Sequence, residues 1–190
     1  MVNSLTKDEL KRLLSAVSER SNTDEPSAVY GGLTADRKRL MLLVGYWHGL
    51  RVSELINLRV KDIRGGYLSV RRLKKSLPTI HPFVSSTDPE LDEAEGLNAL
   101  AAKLKSNDKL FNITRFGVYK LMQRAGVRAG LPPHKCHPHV LKHSIAMTMK
   151  RMGKDVKQVQ VYLGHVEGKN TLVYWEATMD EAAAGLGAFL

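Results

Sequence analysis

The stretch TADRKRLMLLVGYWHGLRVSELINL, residues 34–58, indicates the fold class. It is apolar over a length sufficient for a buried central helix that begins near Thr34. Gly49 interrupts the helical pattern, which resumes over about residues 52–58. Arg51 is therefore predicted to lie at the corner between two helices.

Helical patterns on both sides of this segment indicate a mostly helical chain. Thr6 and Glu9 have the spacing of a capping box, which predicts a first helix over about residues 6–19. Periodic apolar residues with cap and stop residues predict further helices over about residues 94–105, 115–127, 139–153 and 155–164, and a last helix that starts at Asn170 or Thr171.

One β-hairpin is predicted between these helices. Leu68 and Val70 show the alternation of a half-buried strand, and a second strand is predicted near residues 79–83. The turn between them is basic, with Arg71, Arg72, Lys74 and Lys75. The sequence therefore predicts a mainly α chain with a small antiparallel β-sheet, an α+β fold, as a single domain over residues 1–190.

The charge balance points to an acidic polymer as partner. Lys and Arg number 29 against 19 Asp and Glu, which gives a formal net charge of +10. Such a charge favours nucleic acid before a membrane surface. Cys136 is the only cysteine, which excludes an intrachain disulfide and a multi-cysteine zinc module and favours a reducing compartment. With neither a secretory signal nor an apolar run of roughly 18 to 20 residues, a cytoplasmic, nucleoid-associated protein is expected.

Four short motifs follow one another in a fixed order. They are GLRVSEL (49–55), the lysines of the hairpin turn, HVLKH (139–143), and LGH (163–165) followed nine residues later by Tyr174. This order resembles the catalytic domain of the tyrosine recombinase family of phage integrases, Xer and Cre proteins, and the resemblance extends from the first helix to the end of the chain. It implies a site-specific DNA recombinase or integrase of a virus or mobile element.

The resemblance implies roles for particular residues. Cleaving a phosphodiester without a metal requires a nucleophile, donors to the non-bridging oxygens and an acid for the leaving oxygen. The implied nucleophile is Tyr174, which would form a 3′-phosphotyrosine bond. The other implied catalytic residues are Arg51 and His165 as donors to the phosphate, Lys74 as acid for the leaving 5′-oxygen with Lys75 as the near alternative, His139 as a candidate base, and Lys142 at the position of the second family arginine.

Lys142 departs from the family pattern. A lysine ammonium is a point charge and cannot make the planar two-pronged contact of an arginine. Losing one such donor costs roughly 100-fold to 1,000-fold in comparable oxyanion sites. A working but altered site is expected. No metal or ATP is expected to be required.

Several residues have a structural interpretation beside the catalytic one. Arg51 could instead form a salt bridge with Glu54 or Asp62, and Tyr162 competes with Tyr174 as nucleophile. Lys74 and Lys75 could be solvated charges that touch phosphate non-specifically. Glu54 and His143 are expected to support the site. His139 and His143 share a helix face, as in a two-histidine zinc site, but no carboxylate follows as in His-Glu-x-x-His, so neither a metal nor another cofactor is expected.

Double-stranded DNA is the expected partner. The residues expected to contact it are Arg71, Arg72 and Lys75 in the hairpin turn and Arg115, Lys120 and Arg124 on the outer face of the helix over 115–127. The resemblance implies a homotetramer on DNA that is weak or monomeric alone. The apolar tail, about residues 179–190, is expected either to dock on a neighbouring subunit or to pack as a final helix.

The chain begins where the catalytic domain is expected, so the N-terminal core-binding domain of the family is expected to be absent. Two other functions remain open. One is a DNA-binding module with the same fold that has lost efficient chemistry through Lys142. The other is a nicking and closing enzyme similar to type IB topoisomerases, which would lack sequence choice.

Overall fold

The computed structural model describes residues 4–18, 27–73 and 76–175. Within these ranges the helices are α1 Lys7–Ser18, α2 Ala35–Trp47, α3 Val52–Leu55, α4 Ala94–Lys103, α5 Arg115–Arg128, α6 His139–Arg151, α7 Val156–Leu163 and α8 Lys169–Leu172. The strands are β1 Ile63–Arg64, β2 Tyr67–Val70 and β3 Thr79–Pro82, and short 3-10 turns lie at Ser27–Tyr30, Val60–Asp62, Pro89–Leu91 and Pro133–Lys135. The predicted mainly α fold with a small antiparallel sheet is confirmed.

The first helix begins with the predicted capping box. The Thr6 hydroxyl accepts a hydrogen bond from the Glu9 N–H at 3.1 Å, and the Glu9 carboxylate accepts one from the Thr6 N–H at 2.8 Å. These two bonds satisfy backbone donors that the helix itself leaves unpaired. The apolar face of α1 then packs on α2 and α5 through buried leucines.

The central segment bends where the sequence predicted. α2 starts after Thr34, whose hydroxyl caps the Arg37 N–H at 3.3 Å, and its residues 41–46 are all buried. Gly49 has φ of +56°, and a Cβ there would lie 2.5 Å from Cδ2 of Leu163. A glycine is therefore needed both for the turn and for the close approach of α7. α3 covers only Val52–Leu55 and is shorter than predicted.

The predicted hairpin is present and carries a third strand. β2 pairs with β3 in the register Leu68 with His81 and Val70 with Thr79. The two-residue β1 pairs with β2 on its other side. β1 is too short to show an alternation of apolar and polar residues, so it was not predicted. The sheet places the basic turn after Val70 beside the corner that contains Arg51.

The C-terminal helices end close to the predicted positions, except for the last one. Gly153 and Gly164, with φ of +77° and +66°, follow the ends of α6 and α7. α8 starts at Lys169 and ends at Leu172, so Tyr174 lies in the turn after a short helix, not on the amphipathic helix that was predicted. The predicted tail over 179–190 lies outside the described residues. No helix within the described ranges is long and apolar enough to span a bilayer.

Candidate active site

Arg51 is held at the α2–α3 corner with part of its guanidinium unused. Its Nη1 donates to Oε1 of Glu54 at 2.9 Å, to the Leu73 carbonyl at 3.3 Å and to Oγ of Ser76 at 3.2 Å. Nε and Nη2 have no hydrogen-bond partner among the described residues, and the side chain is 24% exposed. The structural salt bridge therefore forms, with Glu54 and not with Asp62. It orients the guanidinium while leaving donors for an anion.

Glu54 is the buried acceptor that fixes this corner. Its carboxylate is fully buried and accepts from the N–H groups of Arg51 at 2.8 Å and Leu73 at 3.1 Å, as well as from Nη1 of Arg72 at 3.2 Å. Burial alone would raise its pKa. The backbone hydrogen bonds and the charge of Arg72 outweigh that effect, so the pKa of Glu54 lies below its ordinary value. The predicted supporting role of Glu54 is consistent with this geometry.

Arg72 does not lie on the surface, and its predicted contact with DNA is wrong. The side chain is buried and its donors are used inside the fold. Besides Glu54, its partners are the carbonyls of His48 at 2.8 Å, Gly49 at 3.1 Å and Tyr162 at 3.3 Å, and Oγ1 of Thr79 at 3.0 Å. Arg72 therefore ties the α2–α3 corner to the sheet and to α7.

The hairpin turn is anchored to the site by both of its flanks. Leu73 and Ser76 each accept from Nη1 of Arg51, and the N–H of Leu77 donates to the Gly164 carbonyl at 3.0 Å. Lys74 and Lys75 lie between these anchors in sequence but outside the described residues. Their catalytic and DNA-binding roles therefore remain predictions.

Lys142 reaches the site from α6 as a buried amine. The side chain is 6% exposed, and Nζ has no hydrogen-bond partner within the described part of the chain. A Cβ built on Gly49 would lie 3.9 Å from Cγ of Lys142, so the lysine stem passes the α2–α3 corner. Burial, together with the charges of Arg51 and Arg72, lowers the pKa of Lys142 to about 7.

His165 is fixed in the loop after α7. Its Nδ1 lies 2.9 Å from Oγ1 of buried Thr171. Burial, followed by the charges of Lys142 and Arg51, lowers the pKa of His165 to about 4, so the ring is neutral near pH 7. When the Thr171 hydroxyl donates to Nδ1, the ring proton sits on Nε2, where it can donate to a phosphate oxygen.

Tyr174 is held by a histidine on α6. Its hydroxyl lies 2.9 Å from Nδ1 of His143, and the side chain is 4% exposed. Burial raises the pKa of Tyr174 to about 12, although the charge of Arg51 opposes this rise. Burial and the neighbouring His139, His137 and Lys142 lower the pKa of His143, which keeps the imidazole neutral and able to accept a proton.

His139, the predicted base, occupies a different position. It lies exposed in the first turn of α6, and the hydrogen bond to Tyr174 comes from His143. Burial of part of the ring, then His137, Arg115 and Arg51, lower the pKa of His139. The ring centre of His139 lies 6.4 Å from that of His137.

A chain of buried polar groups behind the site was not predicted. Nε2 of His48 makes an ion-pair contact with Oε1 of Glu93 at 2.8 Å, without the alignment of a hydrogen bond. Nδ1 of His48 lies 3.0 Å from Nδ1 of His81, whose Nε2 lies 3.0 Å from the Tyr162 carbonyl. The Tyr162 hydroxyl donates to the Trp47 carbonyl at 2.7 Å. The Tyr162 hydroxyl therefore has a structural partner, and the choice of Tyr174 over Tyr162 as nucleophile remains a prediction.

The outer face of α5 presents basic and aromatic side chains together. The Arg115 guanidinium lies 5.9 Å from the ring centre of Tyr119, and Nζ of Lys120 lies 5.5 Å from that of exposed Phe116. Arg115 is exposed, as is Arg71 at the start of the hairpin turn, and Arg124 on α5 is partly buried. Basic side chains that can reach solvent therefore lie on α5 and at the start of the hairpin turn.

The arrangement of the His, Cys, Asp and Glu side chains bears on whether the chain can hold a metal ion. Within residues 4–18, 27–73 and 76–175, no three His, Cys, Asp or Glu side chains are grouped so as to hold a metal ion. Cys136 is buried, with its Sγ 3.4 Å from the Pro132 carbonyl.

Comparison with known proteins supports the resemblance seen in the sequence. The model of the phage integrase family matches residues 3–181. The type 1 fimbriae regulatory protein FimE of Escherichia coli K12 is 30% identical over 161 residues, which cover 77% of this chain and 78% of FimE. Tyrosine recombinase XerA of Pyrococcus furiosus is 31% identical over 185 residues, covering 92% of this chain and 57% of XerA.

Solved structures show the same fold. A crystal structure of a XerA recombinase superimposes with a TM-score of 0.68 at 26% identity, covering 98% of this chain and 64% of XerA. The site-specific recombinase XerH, solved with its difH substrate, superimposes with a TM-score of 0.65 at 23% identity, covering 97% of this chain and 53% of XerH. The chain thus spans between half and two thirds of the XerA and XerH chains. It belongs to the phage integrase family and has the catalytic-domain fold of the tyrosine recombinases, which are site-specific DNA recombinases.

Proposed function

We propose that this chain cleaves and rejoins DNA through a 3′-phosphotyrosine bond to Tyr174. The observation that carries the proposal is the 2.9 Å contact between the Tyr174 hydroxyl and Nδ1 of His143. This contact lies within reach of the charges of Arg51 and Lys142, as the pKa shifts of Tyr174 and His143 indicate. A nucleophile, a proton acceptor and hydrogen-bond donors for the phosphate oxygens therefore occur together. Acyl or phosphoryl transfer through a side-chain oxygen requires this set of groups.

The cleavage step can be written with named groups. Nε and Nη2 of Arg51, Nε2 of His165 and Nζ of Lys142 bind the non-bridging oxygens of the scissile phosphate. The Tyr174 oxygen attacks phosphorus while its proton passes to Nδ1 of His143. The bond from phosphorus to the 5′-oxygen breaks, and that oxygen takes a proton from Lys74 or, alternatively, Lys75. Reversal with another 5′-hydroxyl rejoins the strand, because the phosphotyrosine conserves the bond energy.

DNA is held by the basic surface next to this cluster. Arg71, Lys75 and Arg115 would contact backbone phosphates, together with Lys120 and Arg124 on α5. His139, exposed in the first turn of α6, would donate to the DNA backbone or exchange protons near the phosphate. The relative XerH is a recombinase solved with a DNA substrate, which supports DNA as the partner here.

Trapping the covalent intermediate tests the proposal. A duplex nicked close to a candidate attachment site loses the short fragment after cleavage, so that rejoining fails and labelled DNA stays on the protein through SDS. Trypsin cuts after Lys157 and Lys169, which places Tyr162 in peptide 158–169 and Tyr174 in peptide 170–190. The label is expected in peptide 170–190. Label in peptide 158–169 would reject the assignment of the nucleophile.

His143 is expected to contribute as a base and not only as a support. Replacing His143 with Gln keeps a hydrogen-bond acceptor near Tyr174 but removes proton transfer, so the cleavage rate should fall by roughly 100-fold to 10,000-fold. Because the pKa of His143 lies below 6.5, wild-type cleavage should decline as the pH falls below that value, and the variant should lack this decline. Single-turnover cleavage rates between pH 5 and 8 measure both effects. Full activity of His143→Gln would assign the residue to positioning, and His139→Gln serves as the comparison variant.

The second candidate function is that of a DNA-binding module that has the same fold but does not cleave DNA efficiently. It is favoured by Lys142, because a lysine offers a point charge where the family has the fork of an arginine. Lys142→Arg should raise the cleavage rate if the lysine is a simple loss.

For a working enzyme, assembly as a homotetramer on cytoplasmic DNA is proposed, with residues 181–190 docking on a neighbour. Removing those residues should then prevent assembly on DNA.

A further inference from the structure

Lys142 combines deep burial with the absence of a hydrogen-bond acceptor among the described residues. Nζ is buried and has no hydrogen-bond partner among the described residues, whereas an ammonium group carries three donors. An unpaired buried charge is unfavourable enough that such a group commonly gives up its proton. Lysine can do this, because its pKa shifts readily on burial, and arginine cannot.

The groups around Lys142 add to this effect. Arg51 on the α2–α3 corner and Arg72 after β2 act on it as positive charges. Glu54 opposes them, but its oxygens already accept from Arg51, Arg72 and the Leu73 N–H. The histidines on which Lys142 acts electrostatically, His139 and His143 on its own helix and His165 after α7, have pKa values below the ordinary one. The pocket therefore has an excess of positive charge that an anion would neutralise.

We propose that Lys142 is an uncharged amine in the DNA-free protein near neutral pH and becomes an ammonium when the scissile phosphate enters the site. The inference rests on the proposed function, because it needs the phosphate to bind between Arg51 and Lys142. The phosphate oxygens supply both negative charge and the hydrogen-bond acceptors that the described residues around Nζ do not provide. The step adds one proton from solvent to Nζ and changes no other bond.

The direction of the pH dependence follows from the two states. Burial and the two arginines lower the pKa of Lys142 to about 7 in the free protein. A bound oxyanion raises that pKa toward its ordinary value. At a pH between the Lys142 pKa of the free protein and that of the bound protein, binding of the oxyanion takes up a proton. The affinity of the site for an oxyanion therefore falls as the pH rises through this range. An arginine at this position stays charged throughout and gives no such dependence.

Lysine-selective NMR measures the switch directly. The full chain is labelled with ¹³C at lysine Cε and titrated from pH 5 to 11, once in sodium chloride and once in sodium sulfate at equal ionic strength. Sulfate is the probe because it is a tetrahedral dianion over this range. Lys142→Arg identifies the signal, Lys154→Arg serves as an exposed lysine control, and the ring signals of His165 and His143 report when sulfate saturates the site.

One lysine signal, absent only from Lys142→Arg, is expected to titrate near pH 7 in chloride and roughly one pH unit or more higher in saturating sulfate. Titration of that signal with the exposed lysines in chloride would overturn the inference. So would a midpoint that sulfate leaves unchanged, or histidine signals that show no saturable response. Adduct formation at Tyr174 despite an unchanged midpoint would reject only this inference, whereas a raised midpoint without any adduct would reject only the proposed chemistry.

Discussion

Replacing Tyr174 with phenylalanine is expected to abolish covalent attachment of the protein to DNA while leaving DNA binding intact. The substitution removes only the nucleophilic oxygen, which lies 2.9 Å from Nδ1 of His143. Loss of a nucleophile from a catalytic set lowers rates on the order of 10⁶-fold in comparable enzymes. Cleavage should therefore drop below detection in a single-turnover assay with nicked DNA.

The fold of Tyr174→Phe should survive. The lost hydroxyl makes one hydrogen bond, to Nδ1 of His143 at 2.9 Å, and such bonds contribute about 1 kcal/mol to the free energy of unfolding. Thermal unfolding should thus shift by only a few degrees, and gel shifts should match those of the wild type. Together these controls separate a lost reaction from a lost fold.

Tyr162→Phe is the matched control. It also removes one buried hydroxyl, which donates to the Trp47 carbonyl at 2.7 Å, so its effect on stability should be similar. Its adducts should form at a rate close to that of the wild type. Adducts that persist in Tyr174→Phe and vanish in Tyr162→Phe would reverse the assignment. A wild-type protein that binds its site without forming any adduct would support the non-catalytic function.

The helices could be predicted because their signals are local. Capping residues and apolar spacing locate α1, α2 and α5 to α7 within a few residues, and the glycines at 49 and 164 mark their ends. The extent of α8 was harder to predict, because this helix has only one turn, which ends before Tyr174. The order of the motifs likewise identifies Arg51, His165 and Tyr174 as candidates, and in the structure the charge of Arg51 acts on both His165 and Tyr174.

Arg72 shows a signal that was present in the sequence but overlooked. Successive side chains on a strand point to opposite faces, so residue 72 shares the face of Leu68 and Val70. Both of these are buried, whereas Arg71 on the other face is exposed. The run of basic residues suggested a solvated turn, but the period of two predicts that Arg72 points inward.

Other features depend on contacts that sequence alone does not specify. Glu93 meets His48, which lies 45 positions earlier in the chain, and His143 meets Tyr174, which lies 31 positions later. Neither pair has a spacing that a helix or strand would predict. The burial of Lys142 has the same origin, because it depends on how α7 packs against the corner at Gly49.

Replacing Glu54 with glutamine is expected to destabilise the protein more than any single substitution elsewhere in the site. The carboxylate is fully buried and neutralises buried Arg72. Removing one partner of such a pair leaves an uncompensated charge and costs about 3–5 kcal/mol in the free energy of unfolding. For a chain of this size, the melting temperature should fall by roughly 6 to 20 °C. Glu167→Gln, at an exposed pair with Lys169, should change it little.

The pH dependence gives this prediction a second observable. The pKa of Glu54 in the folded protein is lowered, so its contribution to stability is present above the unfolded value of about 4.5 and is lost as the pH falls through the folded value. Wild type should therefore lose stability below pH 4.5 faster than Glu54→Gln does. Urea unfolding at pH 7 and at pH 4 measures the difference.

A double substitution separates the ion pair from simple packing. If the unpaired Arg72 charge causes the loss, adding Arg72→Met to Glu54→Gln should restore part of the stability, because no buried charge then remains without a partner. Cleavage should stay low in the double variant, since a neutral amide would hold Arg51 less strongly than the carboxylate that now accepts from its Nη1 at 2.9 Å. Additive losses of stability would instead show that Glu54 and Arg72 act independently, and a loss below about 1 kcal/mol for Glu54→Gln would contradict the role given to this carboxylate.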